Sequence, residues 1–175
     1  MRRYARFCLR CGAGLRTVDD DGTRRPHCPA CGWTYYGNPL PTAAAIVVRG
    51  GRVLLTRRAH PPHAGTWDLP GGFLQATESP DAGLRRELRE ELGMRVRRAT
   101  VLGFLMDTYG GDRLRLLNIV YRVTPAPGPL RPADDVSELR WFPVDAVPLR
   151  AIGFPAMRRA VRLFAVARGR RRSPR

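Results

Sequence analysis

The sequence predicts a mixed α/β domain preceded by a small cysteine-rich module. All four cysteines fall within the first 31 residues, as Cys8-x-x-Cys11 and Cys28-x-x-Cys31. Beyond them the hydrophobic patterns follow in the order strands, helix, strands, helix, without the regular alternation of a βαβ array. Hydrophobic residues make up 43% of the 175, enough to bury one core with room for an extra module.

That apolar content excludes global disorder. The net charge is +16, and all 31 basic residues are arginine. Such a balance attracts polyanions, from phosphorylated small molecules to nucleic acids. No apolar run reaches the length of a membrane span, and the longest, around Ala43 to Val48, suits a buried strand. The N-terminal stretch MRRYARFCLRC lacks the apolar core of a signal peptide. The expectation is a soluble, cytoplasmic protein without a membrane partner.

The two cysteine pairs are separated by 16 residues, a spacing that matches a tetrahedral thiolate site for zinc. Gly12 and Gly32 follow the pairs and let the chain turn tightly, with amides aimed at sulfur. Cys8, Cys11, Cys28 and Cys31 fill the shell, so the Zn²⁺ they would hold is structural rather than catalytic. His27, beside Cys28, is left as a bystander. A zinc ribbon is expected over residues 1–37.

A connector, NPLP, leads into a main domain expected over 38–168. Residues 42–48 form a strand pattern, Gly50-Gly51 a hairpin turn and 52–57 the returning strand. Residues 60–66 are a loop, and 67–70 run into a glycine pair. Strand patterns recur within 95–107, 114–123 and 139–142, and the proline-rich 124–132 is a loop. Met157, Val161, Phe164 and Ala165 stand at helical spacing, which predicts a closing amphipathic helix over 155–168. The basic tail, 169–175, is expected to be disordered.

Between Gly71 and Met94 lies GGFLQATESPDAGLRRELREELGM, which collects Glu78, Glu87, Glu90 and Glu91 in a chain otherwise rich in arginine. Ser79 can cap a helix, Pro80 suits its first position, and Gly93 suits a left-handed end. A helix over 80–92 places Leu84, Leu88 and Leu92 on a buried stripe. Glu87, Glu90 and Glu91 then share an arc of roughly 100° beside that stripe. Like charges so close need a positive neighbour. Arg86, one turn before Glu90, is one candidate, and a hard divalent cation is the other. On the helix alone, a solvated acidic face with ordinary ion pairs and a metal site both stand.

Gly72, five residues, Glu78, seven residues, then Arg86-Glu87-Leu88-x-Glu90-Glu91-x-Gly93-Met94 resembles the Nudix box at every defining position. WDLPGG before it and LLTRR at Leu54 to Arg58 resemble the Nudix lead-in. The N-terminal ribbon followed by YYGNP resembles the branch related to NADH pyrophosphatases. The resemblance implies an α/β/α sandwich around a mixed sheet. It also implies Mg²⁺- or Mn²⁺-dependent hydrolysis of a pyrophosphate bond in a nucleoside diphosphate linked to another group. Glu87, Glu90 and Glu91 would be metal ligands, one doubling as base, with the Gly72 carbonyl completing the shell. Glu78 and Arg86 would pair to fix the loop onto the helix. Thr77 and Gln75 depart from common choices in the loop. The Ser-Gln-Pro-Trp signature of the NADH branch is absent downstream of the box, which counts against NADH as the evolved substrate.

Further candidates are Trp67 for base stacking or core packing, Arg57 and Arg58 for phosphate, Asp107 and Asp112 as an outlying base, and Tyr109 in the substrate region. His60 and His63 are assigned no role. The expected partner is a small nucleotide. The alternatives are a nucleic-acid-binding ribbon protein that uses the second domain as a ligand sensor, and a hydrolase of nucleotide-capped RNA. The arginine-rich tail would add weak, nonspecific nucleic-acid binding. The resemblance leaves a homodimer open.

Overall fold

The computed structural model describes residues 5–111 and 114–170. By their internal contacts these form two compact units, one ending at Asn38 and the other starting at Pro39.

In the first unit β1 (Arg16–Asp20) and β2 (Thr23–His27) pair antiparallel, with Asp20 opposite Thr23. Asp21 and Gly22 between them both take positive φ, which matches the twist of a two-residue hairpin. Each cysteine pair builds the same loop. Gly12 N–H donates to the Cys8 carbonyl and Cys8 N–H to Ala13; Gly32 N–H donates to Cys28 and Cys28 N–H to Trp33. Gly12 and Gly32 sit at φ 74° and 73°, which the tight turn after each pair requires.

The second unit is built on β3 (Leu40–Arg49), β4 (Arg52–Arg58), β5 (Trp67–Asp68), β6 (Gly71–Phe73), β7 (Val96–Tyr109), β8 (Leu114–Pro125) and β9 (Val136–Pro143). The strand order is β5-β4-β3-β8-β7, with β6 paired to β3 and β9 to β4. β3 runs parallel to β8 and antiparallel to β4 and β6, so the sheet is mixed. Gly50 and Gly51, both at positive φ, make the predicted hairpin turn.

The two helices are α1 (Pro80–Leu92) and α2 (Pro155–Arg170). Ala43, Ala45 and Val47 of β3 cluster with Leu84, Leu88 and Leu92 of α1. Ala44 and Ile46 cluster with Met157, Ala160 and Val161 of α2. Alternate strand residues point to opposite faces, so the helices cover opposite sides of the sheet. A strand covered on both faces is apolar throughout, which is why AAAIVV shows no polar alternation.

Element boundaries differ modestly from expectation. β8 runs through Pro125, two residues into the expected loop, because Pro125 still faces Val96 across the ladder. β9 begins at Val136 rather than 139, held by pairing with β4. α2 continues to Arg170, since one glycine at 169 costs a helix only about 1 kcal/mol. Of the expected tail, residues 171–175 lie outside the described residues, as does Asp112.

Leu84, Leu88 and Leu92 are fully buried. Leu88→Ala is expected to cost about 2–5 kcal/mol of stability, read as a lower urea midpoint at unchanged slope.

Candidate functional site

Helix α1 spans the predicted residues. Ser79 Oγ accepts from Ala82 N–H, Pro80 opens the first turn, and Gly93 at φ 62° returns its N–H to the Leu88 and Arg89 carbonyls. The leucine stripe then fixes the helix rotation, so the adjacent arc of carboxylates faces β6.

Two glycines make that meeting close. Gly71 has φ 133°, and a Cβ there would lie 2.1 Å from the Ala43 carbonyl oxygen. Its N–H donates to Glu91 Oε2 at 2.9 Å. A Cβ on Gly72 would stand 2.7 Å from the Glu87 carboxyl, so any side chain there would displace that carboxylate.

Arg86 is the hub of the arc. Its guanidinium holds Glu78 through two hydrogen bonds, Nε to Oε2 at 3.1 Å and Nη2 to Oε1 at 2.6 Å. Nη1 donates to Glu87 Oε1 at 2.8 Å and to Glu90 Oε2 at 2.9 Å, and Nη2 to the Phe73 carbonyl at 3.0 Å. Glu78 also accepts from Gln75 N–H, which ties the loop to the helix. Arg86 and that amide hold the Glu78 carboxyl below its usual range.

The other acids are less well compensated. Glu91 is only 5% exposed, and Gly71 N–H is its hydrogen-bond donor. Burial pushes its carboxyl well above the usual range; Asp135, Glu87 and Asp68 push the same way, against the Gly71 amide. Burial also raises Glu87, against the pull of Arg86. Glu90 is the exposed member.

Sequence reasoning missed two further acids of this cluster. Asp68 in β5 is buried and accepts from Leu69 N–H at 2.8 Å. Burial raises it to about 7, against Leu69 N–H and Arg58, while Asp135 and Asp107 add to the rise. Asp135 lies just before β9. Arg58 faces both, 3.6 Å from Asp68 and 4.0 Å from Asp135, and donates to the Pro62 carbonyl. The available signals were the Asp in WDLPGG and the acidic pair Asp134-Asp135; both lie far from the box in sequence.

A cleft opens beside Gly71 and Gly72, walled by Arg58, Asp68, Asp135, Asn118 and the rings of Phe73, Tyr109 and Phe154. Tyr109 stacks on Phe154 at 5.9 Å and meets Phe73 edge-on at 5.3 Å. The remaining candidates lie elsewhere. Trp67 is buried, edge-on to Phe142, with Arg57 and Arg140 over its faces, so it packs the core. Arg57 pairs with Glu138. Asp107 lies in β7, and it accepts from Ala156 N–H at the start of α2. His63 packs its ring edge on Phe154.

In the first unit the sulfurs of Cys8, Cys11, Cys28 and Cys31 all lie within 4.8 Å of one another. Arg10 N–H donates to Cys8 sulfur at 3.4 Å. Burial raises the Cys8 thiol, but the amides of Arg10 and Cys11 and the neighbouring thiols outweigh it and bring the group down to about 7. His27 is engaged with Thr34 at 3.0 Å. Four sulfur donors so arranged suit a soft or borderline divalent metal. Among the described residues they are the one acidic, histidine or cysteine group whose ligand atoms already converge this closely. Glu87 and Glu90 instead flank Arg86, with oxygen donors of the kind a hard cation takes.

The model of the NUDIX domain matches residues 39–164. The chain belongs to the NUDIX domain family. It is 36% identical over 118 residues to a MutT-like protein of Streptomyces ambofaciens, covering 67% of this chain and 72% of that one. It is 31% identical over 149 residues to the NAD-capped RNA hydrolase NudC of Pseudomonas aeruginosa, covering 83% of this chain and 50% of the relative, so it spans half the length of that protein. In fold it resembles a NUDIX hydrolase from Nitrosomonas europaea, with a TM-score of 0.74 at 24% identity over 94% of this chain and 93% of that one.

The raised carboxyls set a pH dependence. Asp68 and Glu91 bind protons more tightly folded than unfolded, so their charging costs stability as pH rises above the ordinary carboxylate range near 4. Protein without added divalent cation should melt at higher temperature at pH 5.5 than at pH 8. Glu91→Gln should narrow that difference and raise the pH 8 melting temperature by roughly 3–8 °C. Mg²⁺ or Mn²⁺ should stabilise the wild type at pH 8 and leave the variant nearly unmoved.

Proposed function

We propose that the chain is a Mg²⁺- or Mn²⁺-dependent hydrolase of a pyrophosphate bond in a nucleoside diphosphate linked to another moiety. Residues 1–37 would serve as a structural zinc ribbon and 38–168 as the hydrolase domain. One observation carries the reading: Glu91 is buried among Glu87, Asp68 and Asp135, with a single amide as donor. A buried acid among acids is unstable unless protonated or neutralised by a cation, so the donors fit a divalent ion.

Glu87, Glu90 and Glu91 would hold that ion, with Gly72 offering its carbonyl. When bound, it neutralises phosphate charge and acidifies water. The residues do the rest. Arg86 keeps Glu78 and the loop at residues 74–78 against α1. Loading requires Glu90, the exposed acid, to turn away from Arg86. One of Glu87, Glu90 and Glu91 would double as the base that takes a proton from the attacking water. Arg58, in the cleft wall, would face a phosphate.

A second reading, nucleotide-capped RNA as substrate, has one observation in its favour. The NAD-capped RNA hydrolase of P. aeruginosa matches 83% of this chain, and a polyanion suits a chain of net charge +16. The missing Ser-Gln-Pro-Trp signature weighs against it.

The test is product analysis with Mg²⁺ or Mn²⁺ over NADH, ADP-ribose, dinucleoside polyphosphates, nucleoside triphosphates and capped RNA. Metal-dependent cleavage is expected, reduced about 10²–10⁴-fold by Glu90→Gln with an unchanged circular dichroism spectrum. Full turnover by Glu90→Gln would remove that residue from the site. Salt-sensitive nucleic-acid binding without any cleavage would favour the sensor reading.

A further inference from the structure

The first unit carries a groove of its own, of about 550 Å³, lined by Ala5, Arg6, Leu15, Arg16, Thr17 and Pro26. Its walls follow from the local pairing. Phe7 bridges antiparallel to Gly14, and Leu15 N–H donates to the Arg6 carbonyl at 2.9 Å, which lays the Arg6 segment alongside the start of β1. Pro26 of β2 stands opposite Thr17. The first cysteine loop holds both walls, since Cys8 N–H donates to the Ala13 carbonyl between them at 2.8 Å.

The lining joins two chemistries. Arg6 and Arg16 are exposed guanidiniums, and no acid lines the groove. Among the described residues neither has an ion-pair partner, whereas Arg25 of β2 pairs with Asp20 at 2.9 Å and lies over the Tyr36 ring. The acids of this unit, Asp19, Asp20 and Asp21, collect at the hairpin tip, and Arg16 opens β1 at its other end. From Arg16 to Asp20 the strand runs about 13 Å. Exposed charges are largely screened beyond roughly 8–10 Å at physiological salt, so the tip leaves the groove positive. Ala5, Leu15 and Pro26 supply apolar surface beside the two cations.

We propose that this groove is a second ligand site, which takes the phosphate of a nucleotide, either free or within a single strand. Two guanidiniums offer forked donors to a phosphate dianion, more than one carboxylate could use. The apolar wall suits a ribose or base, and the volume falls within the roughly 300–1,000 Å³ of small-molecule sites. The groove and the acidic cleft have opposite needs. Buried carboxylates repel a phosphate until a cation is bound, whereas the groove needs no cation. The site therefore stands whether or not the second unit is a hydrolase.

Nuclear magnetic resonance titration of the full zinc-loaded chain, in buffer without added Mg²⁺ or Mn²⁺, tests this. AMP should shift the backbone amides of Arg6, Leu15, Arg16 and Thr17 saturably. Arg6→Ala and, separately, Arg16→Ala should each weaken that binding about 10-fold or more, with zinc content unchanged. Arg24→Ala, an exposed β2 arginine outside the groove, should leave it unchanged. A short single-stranded oligoadenylate is the second probe. Affinity more than about 10-fold above that of AMP makes the occupant a strand, and equal affinity makes it a free nucleotide; each supports the site. No saturable shift, shifts confined to the second unit, or equal weakening by Arg24→Ala would overturn the proposal.

Discussion

Glu91 sits where α1 meets β6, removed from water, with one amide hydrogen bond and three carboxylates for neighbours. Burial of a single acid in such surroundings is unfavourable, and much of the second unit is arranged so that it occurs. The fully buried leucines set the helix rotation that turns Glu91 inward. Gly71 lacks the Cβ that would collide with β3, and so can bring its N–H to the carboxylate. The small side chains Ala43 and Ala44 stand opposite Gly72 and Gly71 across the ladder. Helix, strand and turn are thus matched at one point.

Arg86 sorts the remaining acids by role. Glu78 is fully engaged by two guanidinium bonds and a backbone amide, which makes it a structural tie between loop and helix. Glu87 and Glu90 each receive one bond from a shared nitrogen and keep oxygens available. Arg58 plays a similar part in the wall of the cleft, beside Asp68 and Asp135. Two arginines therefore temper a cluster of acids without neutralising it, and the surplus of negative charge is of the kind a divalent ion would offset.

Local chemistry was legible in the sequence where it is short-ranged. The bounds of α1, the Gly50-Gly51 hairpin and the two cysteine loops each depend on residues within a turn or two, and each was readable. So was the arc of Glu87, Glu90 and Glu91, because helical spacing fixes it. The site's outer wall was not. Asp68 and Asp135 meet at Arg58 only through the pairing of β4 with both β5 and β9, a register no local pattern announces. The partner of Asp107 was equally out of reach, being the start of a helix almost fifty positions later. Trp67, flanked by arginines, packs a core that strand pairing creates.

The central claim is that the buried acids exist for a divalent cation. Calorimetric titration with Mn²⁺ in buffers of different ionisation enthalpy tests it directly. Burial raises Glu91 and Glu87 above the ordinary carboxylate range, so an incoming ion displaces protons from them and binding should release protons. Saturable binding with that release supports the account. Binding with no proton release, or no saturable binding, would contradict it.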